Sequence, residues 1–527
     1  ATTADRNVAV GKDALSAYTA DGDQYTVAIG FNAMGQTTTG GNCTAVGGGA
    51  LAANTTGGSN TAVGYFALTT NTTTSNNTAI GRAALYNAIG GDNTALGYNA
   101  GTAITTGVRN TTLGSQAGDA ITTASENTCV GYIAASALTT GTGNVAVGHG
   151  ALYSATTGDN CTAVGHRALE SNTAEHNTAV GRQALYSNTT GTYNTAVGAE
   201  CADALTTGGQ NTAVGYSALD ACTTGQQNTA MGVQALGSNT ADHETAFGWQ
   251  ALAGNTTGTY NTAVGCEALE ANTTENNNTA VGHKAFHSAT AASESTAVGA
   301  NAGQNVTTGD QNCLFGYNAG GSLTTGHSNI FIGAYAGDAH TTTSHNVAIG
   351  NAALSACDSH YNTAVGSSAL QTDTTGDRNV AVGYGALYDN TTGSQNTACG
   401  MSALENCTTG TANTAVGYNA AMTPTAVSHN TFIGHQAGIY ATGGQNTFIG
   451  SASGNSVTTG VNNTMVGYNV GQADHTNAVV LGRDCTSYGS EWVTIGNNSS
   501  GRIYADFATS ATWTRSSDRR WKKDINT

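Results

Sequence analysis

The sequence predicts an all-β protein, a β-solenoid of the parallel β-roll or β-helix type, with about 30 coils of about 17 residues each. Three observations lead to this fold class. The unit Asn-Thr-Ala-Val-Gly recurs along the chain, the composition contains 72 Gly and one Pro, and only 9% of residues are charged and 6% aromatic. So few large apolar residues cannot fill ordinary globular cores, whereas thin stacked coils need mainly small ones.

A glycine closes each Asn-Thr-Ala-Val-Gly unit, and we call it the marker glycine. Thirty marker glycines run from Gly11 to Gly496, and of the 29 intervals between them 21 are 17 residues and five are 16 residues. These intervals leave no room for a separate domain inside the array. We therefore assign residues 1–497 to a single repeat array.

Each coil is predicted to contain two turns. A second glycine lies seven residues before many marker glycines, as the end of Thr-Thr-Gly at Gly107, Gly191 and Gly460. A unit of this length is too short for a helix pair, whose repeats have ~33 residues or more. We expect short strands that stack ~4.8 Å apart, with marker glycines that adopt positive φ at the corners.

The apolar strand residues predict a buried surface on both faces of the strand. Ala62 and Val63 point to opposite faces under period-two alternation, so one face lies inside the coil and the other packs against a second copy. We interpret large residues at the Ala position as a widening around an axis that several copies share. A monomeric solenoid with one small-residue face is the alternative. The large residues are Leu314, Phe331, Phe432, Phe448 and Met465.

The charge balance and hydropathy exclude two classes of partner. A formal net charge of −17, from 32 acidic and 15 basic residues, disfavours binding to nucleic acid through its phosphates. The longest apolar run is 478–481, far shorter than a membrane-spanning helix, so we predict no membrane insertion. The chain opens at Ala1 without the apolar segment of a signal peptide. We expect an export signal or an attachment domain to be missing before it.

The eleven cysteines and thirteen histidines show no metal or redox motif. Neither Cys-x-x-Cys nor His-x-His occurs, so we predict free buried cysteines, no metal ligands and no cofactor. His149 and His166 occupy the same position in consecutive coils and are expected to stack. Four further histidines are expected to be solvated turn residues: His176, His243, His345 and His429.

Tyrosines directly after the marker glycine are the candidate binding residues. Exposed aromatic rings stack on sugar rings, which suits attachment to a glycan, although tyrosines also cover the edges of ladders. We expect no enzymatic activity on an external substrate, because carboxylates are sparse and no pair recurs near one coil. The candidates are Tyr65, Tyr98, Tyr132, Tyr216, Tyr317, Tyr384, Tyr418 and Tyr468.

Over about residues 7–497, the Asn-Thr-Ala-Val-Gly-x-x-Ala-Leu unit resembles the head repeat of trimeric autotransporter adhesins. Those heads are left-handed parallel β-rolls that associate as trimers and bind host surfaces. The resemblance implies a homotrimer here, intertwined or side by side. The repeat of this chain is longer than the adhesin repeat because it contains the additional Asn-Thr-Thr-Gly turn.

The last residues resemble a second family. Residues 515–525, Arg-Ser-Ser-Asp-Arg-Arg-Trp-Lys-Lys-Asp-Ile, are similar to the start of the endosialidase-type intramolecular chaperone domain of phage tail spikes and fibres. In that family a Ser-Asp bond is cleaved autocatalytically after trimer assembly, with Ser as nucleophile and a Lys as base. The resemblance implies these roles for Ser517, Asp518 and Lys522. Residues 498–516 then form a connector and 517–527 the start of a truncated domain, which we expect to be inert.

Together the two resemblances favour the shaft of a phage tail fibre or spike. Such a protein assembles in the host cytoplasm, belongs to the virion tail and attaches to a host cell-surface glycan or protein. The alternative is a bacterial surface adhesin of the trimeric autotransporter type or another extracellular β-solenoid filament. An ice-binding surface is less consistent with the sequence, because the threonines flank turns and form no Thr-x-Thr ladder on one strand.

Overall fold

The computed structural model describes residues 6–20, 24–471, 473–499, 501–506 and 513–516, and all secondary structure among them is β. The prediction of a β-solenoid with a repeat of about 17 residues is confirmed. The chain divides into two compact units, Ala1–Cys266 and Glu267–Thr527. No helix among the described residues is long and apolar enough to cross a membrane.

Within the first unit, the strands of successive coils pair in parallel and in register, for example Ala62 with Ala79. Its strands are β1 (Val8–Val10), β2 (Val27–Ile29), β3 (Thr44–Val46), β4 (Thr61–Val63), β5 (Thr78–Ile80), β6 (Thr94–Leu96), β7 (Thr111–Leu113), β8 (Thr128–Val130), β9 (Val145–Val147), β10 (Thr162–Val164), β11 (Thr178–Val180), β12 (Thr195–Val197), β13 (Thr212–Val214), β14 (Thr229–Met231), β15 (Thr245–Phe247) and β16 (Thr262–Val264).

The second unit repeats this pairing up to β30 and then changes direction, because β31 is antiparallel to β30 and β32 is antiparallel to β31. Its strands are β17 (Thr279–Val281), β18 (Thr296–Val298), β19 (Cys313–Phe315), β20 (Ile330–Ile332), β21 (Val347–Ile349), β22 (Thr363–Val365), β23 (Val380–Val382), β24 (Thr397–Cys399), β25 (Thr414–Val416), β26 (Thr431–Ile433), β27 (Thr447–Ile449), β28 (Thr464–Val466), β29 (Val479–Arg483), β30 (Trp492–Asn497), β31 (Gly501–Asp506) and β32 (Trp513–Ser516).

The marker glycines are fixed by the backbone and by the neighbouring coil. Gly64 has φ of +139°, and a Cβ placed there would lie 2.4 Å from the carbonyl oxygen of Gly81, the next marker glycine. The same overlap recurs between successive marker glycines in both units. Any side chain at this corner would therefore separate the coils, which explains why glycine recurs there.

Asparagines form a buried ladder along the coil interior. The backbone N–H of Asn110 donates to Oδ1 of Asn93 at 3.0 Å, and Nδ2 of Asn93 donates to the carbonyl of Gly107 at 2.9 Å. Equivalent bonds recur four residues before most marker glycines, for example from Asn77 to Asn60. The ladder satisfies backbone groups at the Thr-Thr-Gly turn that would otherwise be buried without partners.

The leucine four residues after the marker glycine fills most of the interior. Leu68 is fully buried although its φ is +51°, a conformation that β-branched residues tolerate poorly. From the coil of Gly11 to that of Gly467 this position holds Leu, Phe, Met, Ala or Gly, and never Val or Ile. Backbone conformation, as well as volume, therefore selects the residue.

The Ala of each strand faces the interior of its own coil, so the interpretation of a widening around a shared axis is wrong. Phe331 is fully buried within one chain, and six residues later Gly337 stands where other coils have Leu. The large residue occupies the volume that the leucine fills elsewhere. The same exchange pairs Leu314, Phe432, Phe448 and Met465 with Gly320, Gly438, Gly454 and Gly471.

The opposite strand face, formed by the Thr and Val positions, is only partly covered by the chain itself. Phe247 is 52% exposed, and Ile332 and Cys399 on this face are also exposed. We expected both faces of the strand to be buried. Within one chain, only the face that carries the Ala position is buried. We call the row of Thr and Val positions the outer strand face.

Candidate functional surface

All eight candidate tyrosines lie on the surface, each just outside the corner made by its marker glycine. Their side chains are 45–60% exposed. The closest pairs among the eight lie two coils apart, about 9.6 Å along the coil stack. Tyr384 and Tyr418 are one such pair. Within each unit the structure therefore places the tyrosines in one column of positions, but it brings no two of them into adjacent coils.

Basic and aromatic residues occupy intervening positions of this column. The guanidinium of Arg82 lies 5.6 Å from the ring centre of Tyr98, and the rings of Tyr418 and His435 stack at 5.3 Å. The predicted stacking of His149 on His166 is confirmed, with ring centres 5.1 Å apart. This tyrosine column thus presents flat rings interspersed with cations, an arrangement that suits contact with sugar rings and with acidic substituents.

A second exposed column lies on the turn five residues before the marker glycine. His176, His243 and His345 lie there as predicted, on exposed turn positions. Each stacks on a tyrosine of the next coil, Tyr193, Tyr260 and Tyr361, with ring centres 5.0, 5.0 and 5.2 Å apart. In the sequence, the spacing of 16 or 17 residues between each histidine and its tyrosine indicates this stacking. His429 also lies exposed on this turn.

Coils of 16 residues interrupt the ridge formed by the Thr-Thr-Gly turns. In the coil that ends at Gly248, Thr240 occupies the position of the first threonine of Thr-Thr-Gly, and its hydroxyl donates to the carbonyl of Thr256 in the next coil. No second threonine follows Thr240. A groove of 420 Å³ lies between Thr224 and Thr257, and Asp242 lines it. A groove of 370 Å³ occurs at the equivalent place in the 16-residue coil that ends at Gly450. The stacked pair His243 and Tyr260 lies on the turn beside the first groove.

Stacking also joins carboxyl groups that the sequence analysis treated as unpaired. Asp203 and Asp220 occupy the same position in consecutive coils and share a hydrogen bond. Partial burial, and then the hydrogen bond and charge of Asp220, raise the pKa of Asp203 to about 7. This pair joins two neighbouring coils, and the absence of enzymatic activity on an external substrate stays a prediction.

Three titratable groups lie inside the coils at positions where other coils have asparagine or an apolar residue. Burial raises the pKa of the Glu244 carboxyl to about 8 and that of Asp373 to about 7. Burial lowers the pKa of the His340 imidazole to about 4. Glu244 accepts from the backbone N–H of Asn261 at 3.1 Å, in the manner of the asparagine ladder. These groups belong to the interior of the coil.

The described cysteines other than Cys266 have free thiols, and burial raises the pKa of the Cys129 thiol to about 12. The expectation that all are buried fails for Cys399, which is exposed at the end of β24, and for Cys266 and Cys313, which are half-buried. Ser517, Asp518 and Lys522, the residues that resemblance assigns to self-cleavage, lie outside the described residues.

Comparisons with known proteins add no family. No protein-family model matches the chain, and the search of curated proteins found no match.

Proposed function

We propose that this protein is a structural and adhesive fibre shaft, part of a phage tail fibre or spike, which attaches the particle to the surface of the host cell. The observation that supports this proposal best is the column of exposed tyrosines in each unit, on coils whose strands pair in register. An array of this kind presents the same side-chain position many times along one face. Repeated weak contacts of this sort add up to firm attachment.

We further propose that the working form is a side-by-side homotrimer. The outer strand face supports this, because Phe247 and Ile332 expose apolar side chains on it at positions that recur along each unit. Contiguous exposed apolar surface is typical of interfaces. Coil-to-coil pairing already satisfies the strands of one chain, so association through side chains of this face requires no exchange of strands.

The solution mass tests the assembly. We expect light scattering to give about three times the chain mass of 52.6 kDa. Ile332→Asp and Phe247→Asp, which bring charge onto the outer strand face, are expected to lower the mass to that of the monomer. Thr257→Asp, on an exposed turn, serves as the control and should leave the trimer intact. A monomeric wild-type chain contradicts the trimer.

A microarray of bacterial capsule and O-antigen oligosaccharides tests the attachment. The variant Tyr384→Ala/Tyr418→Ala/Tyr468→Ala is expected to lose most of the wild-type signal while its circular dichroism spectrum stays unchanged. Tyr153→Ala, also exposed but outside the tyrosine column, is the matched control. Binding that survives alanine substitution of all eight tyrosines assigns attachment to another surface.

Self-cleavage belongs to the same proposal. A precursor extended through a complete chaperone domain is expected to cleave between Ser517 and Asp518, and Ser517→Ala or Lys522→Ala should abolish this. Mass spectrometry of the products locates the bond. An extended precursor that stays intact argues for the bacterial adhesin alternative, on the cell surface, over the phage fibre.

A further inference from the structure

A group of ligand-type side chains lies in the second unit, away from the tyrosine column. Glu267 and Glu270 lie three residues apart in one coil, and His287 lies 17 residues after Glu270, at the same position of the next coil. Because successive coils stack in register, positions separated by one repeat come together. The two carboxylates and the imidazole therefore converge from two coils.

The candidate ligand atoms of this group lie close to one another. Nε2 of His287 lies 2.9 Å from Oε2 of Glu270 and 3.4 Å from Oε2 of Glu267. All three ligand atoms lie within 4.8 Å of one another. A tetrahedral zinc ion with ligands at about 2.0–2.2 Å requires ligand atoms about 3.3–3.6 Å apart. The separation of His287 and Glu267 already lies in this range, whereas His287 and Glu270 lie closer together, at ion-pair distance.

The surroundings restrict the motion and the hydration of these groups. The side chains of Glu267, Glu270 and His287 are 17%, 31% and 34% exposed, so the coil packs against each of them. Partly buried charges are screened less by salt than fully exposed ones. An imidazole with two carboxylates favours zinc and other late transition ions over magnesium or calcium, which prefer oxygen ligands alone.

We propose that Glu267, Glu270 and His287 form a binding site for a divalent transition-metal ion, with zinc as its best occupant. The ion bridges two consecutive coils and keeps at least one coordination position for solvent. This site is independent of the proposed attachment function. Neither Cys-x-x-Cys nor His-x-His marks this site in the sequence, because its three residues meet through the coil repeat.

The alternative explanation is an ion-pair network without a metal. Lys284 places its Nζ 3.2 Å from Oε2 of Glu267, where its charge satisfies the same carboxylate. The two explanations predict opposite effects for removal of this lysine. If the site binds zinc, Lys284 competes with the ion, so Lys284→Met tightens binding. If the cluster is only an ion-pair network, the substitution confers no affinity for zinc.

Isothermal titration of ZnCl₂ into the EDTA-treated and desalted full chain tests the site. We expect one saturable zinc site per chain that corresponds to this cluster. Its affinity for zinc should rise about tenfold in Lys284→Met and fall about tenfold or more in Glu270→Gln or His287→Gln. Cobalt absorption in the visible range should show an intense band from a coordination number below six, absent in His287→Gln. Circular dichroism checks that each variant is folded.

His176→Gln is the matched control, because His176 lies 3.8 Å from the carboxylate of Glu175, and the described residues place no third metal ligand beside this pair. It should bind zinc as the wild type does. Two results would overturn the proposal. One is a wild-type chain without saturable zinc binding. The other is zinc binding that His287→Gln, Glu270→Gln and Lys284→Met all leave unchanged, which places the ion elsewhere.

Discussion

The ring of Phe331 occupies the space in which a side chain on Gly337 would stand, since a Cβ on Gly337 would lie 2.5 Å from that ring. In most coils the same space holds a leucine, and the strand residue opposite is alanine. In coils of these two kinds, the two positions, six residues apart in sequence, therefore share one volume of the interior. A close-packed interior tolerates neither an excess nor a deficit of volume at such a pair.

This relationship predicts compensation between two destabilising substitutions. Phe331→Ala should lower the free energy of unfolding by about 3–5 kcal/mol because it leaves a cavity. Gly337→Leu should also destabilise, because the leucine overlaps the ring. The double variant recreates the Ala and Leu arrangement of coils such as that of Leu68, and should cost at least about 2 kcal/mol less than the sum of the single changes.

Chemical denaturation, with hydrogen exchange of this coil as a local readout, measures the three variants. A strictly additive double variant would show that the two positions do not share one volume. Ala398→Gly, a buried change in β24, four coils away from Phe331, is combined with each single variant and provides the additive control.

The repeat length and the fold were readable from the sequence because backbone requirements recur at fixed intervals. The marker glycines, the asparagine ladder and the stacking of His149 on His166 all follow from the repeat. Which face of each strand points into the coil could not be predicted in the same way. Ala62 and Val63 are both apolar, so alternation alone could not decide which faces inward. A glycine follows Phe331 and Phe448 by six residues, at the position where other coils have the buried leucine. This exchange indicates that the Ala position faces the interior of the coil.

The surface was harder to predict than the interior. Contacts such as Asp203 with Asp220, or Glu270 with His287, join residues in neighbouring coils. They become visible only when the sequence is aligned coil by coil, with 16- and 17-residue intervals treated separately. The groove beside Asp242 depends on one missing threonine in such an interval, and composition or motif searches are insensitive to it.

Two adjacent glycines should respond differently to the same substitution. Gly47 is a marker glycine at φ of +134°, and a Cβ there would lie 2.4 Å from the carbonyl oxygen of Gly64. Gly48 has room, since its nearest neighbour would be the Tyr65 ring at 3.4 Å. Gly47→Ala should therefore destabilise by about 3 kcal/mol or more, because backbone strain and overlap add, whereas Gly48→Ala should be nearly neutral. Thermal unfolding of both variants checks this, and equal losses would contradict the glycine-corner explanation.

Glu244 should make stability fall as pH rises. Its carboxyl has a pKa of about 8 in the folded chain, while an exposed glutamate has a pKa near about 4.3. Between these values the folded chain retains a proton that the unfolded chain has lost, so raising the pH favours unfolding. Each pKa unit of difference corresponds to about 1.4 kcal/mol. Glu244→Gln should remove this loss and stabilise the protein at pH 8.

Denaturation between pH 5 and pH 9 measures the effect, and Glu126→Gln is the control because Glu126 pairs with Arg109 on the surface. The Glu244 variant should have the flatter stability profile of the two. If the free energy of unfolding changes with pH in the same way in wild type and Glu244→Gln, Glu244 is ionised in the folded chain. Another group then stabilises its negative charge.

Cys399 offers a direct probe of the outer strand face. Its thiol is exposed at the end of β24, whereas Cys129 in the middle of β8 is fully buried. In a monomeric chain, Cys399 should react with a maleimide far faster than Cys129. In a trimer that associates through this face, Cys399 should be protected, and its labelling rate should fall at least about tenfold as protein concentration drives assembly.

The dissociating variant Ile332→Asp separates the two states at one concentration. Its Cys399 should remain reactive under conditions in which wild-type Cys399 is protected, and Cys129 should stay unreactive in both chains. Mass spectrometry of the labelled peptides reads the two sites independently. If wild-type Cys399 reacts equally fast in assembled and dissociated protein, the copies meet through another surface. The outer strand face would then be open to a different partner.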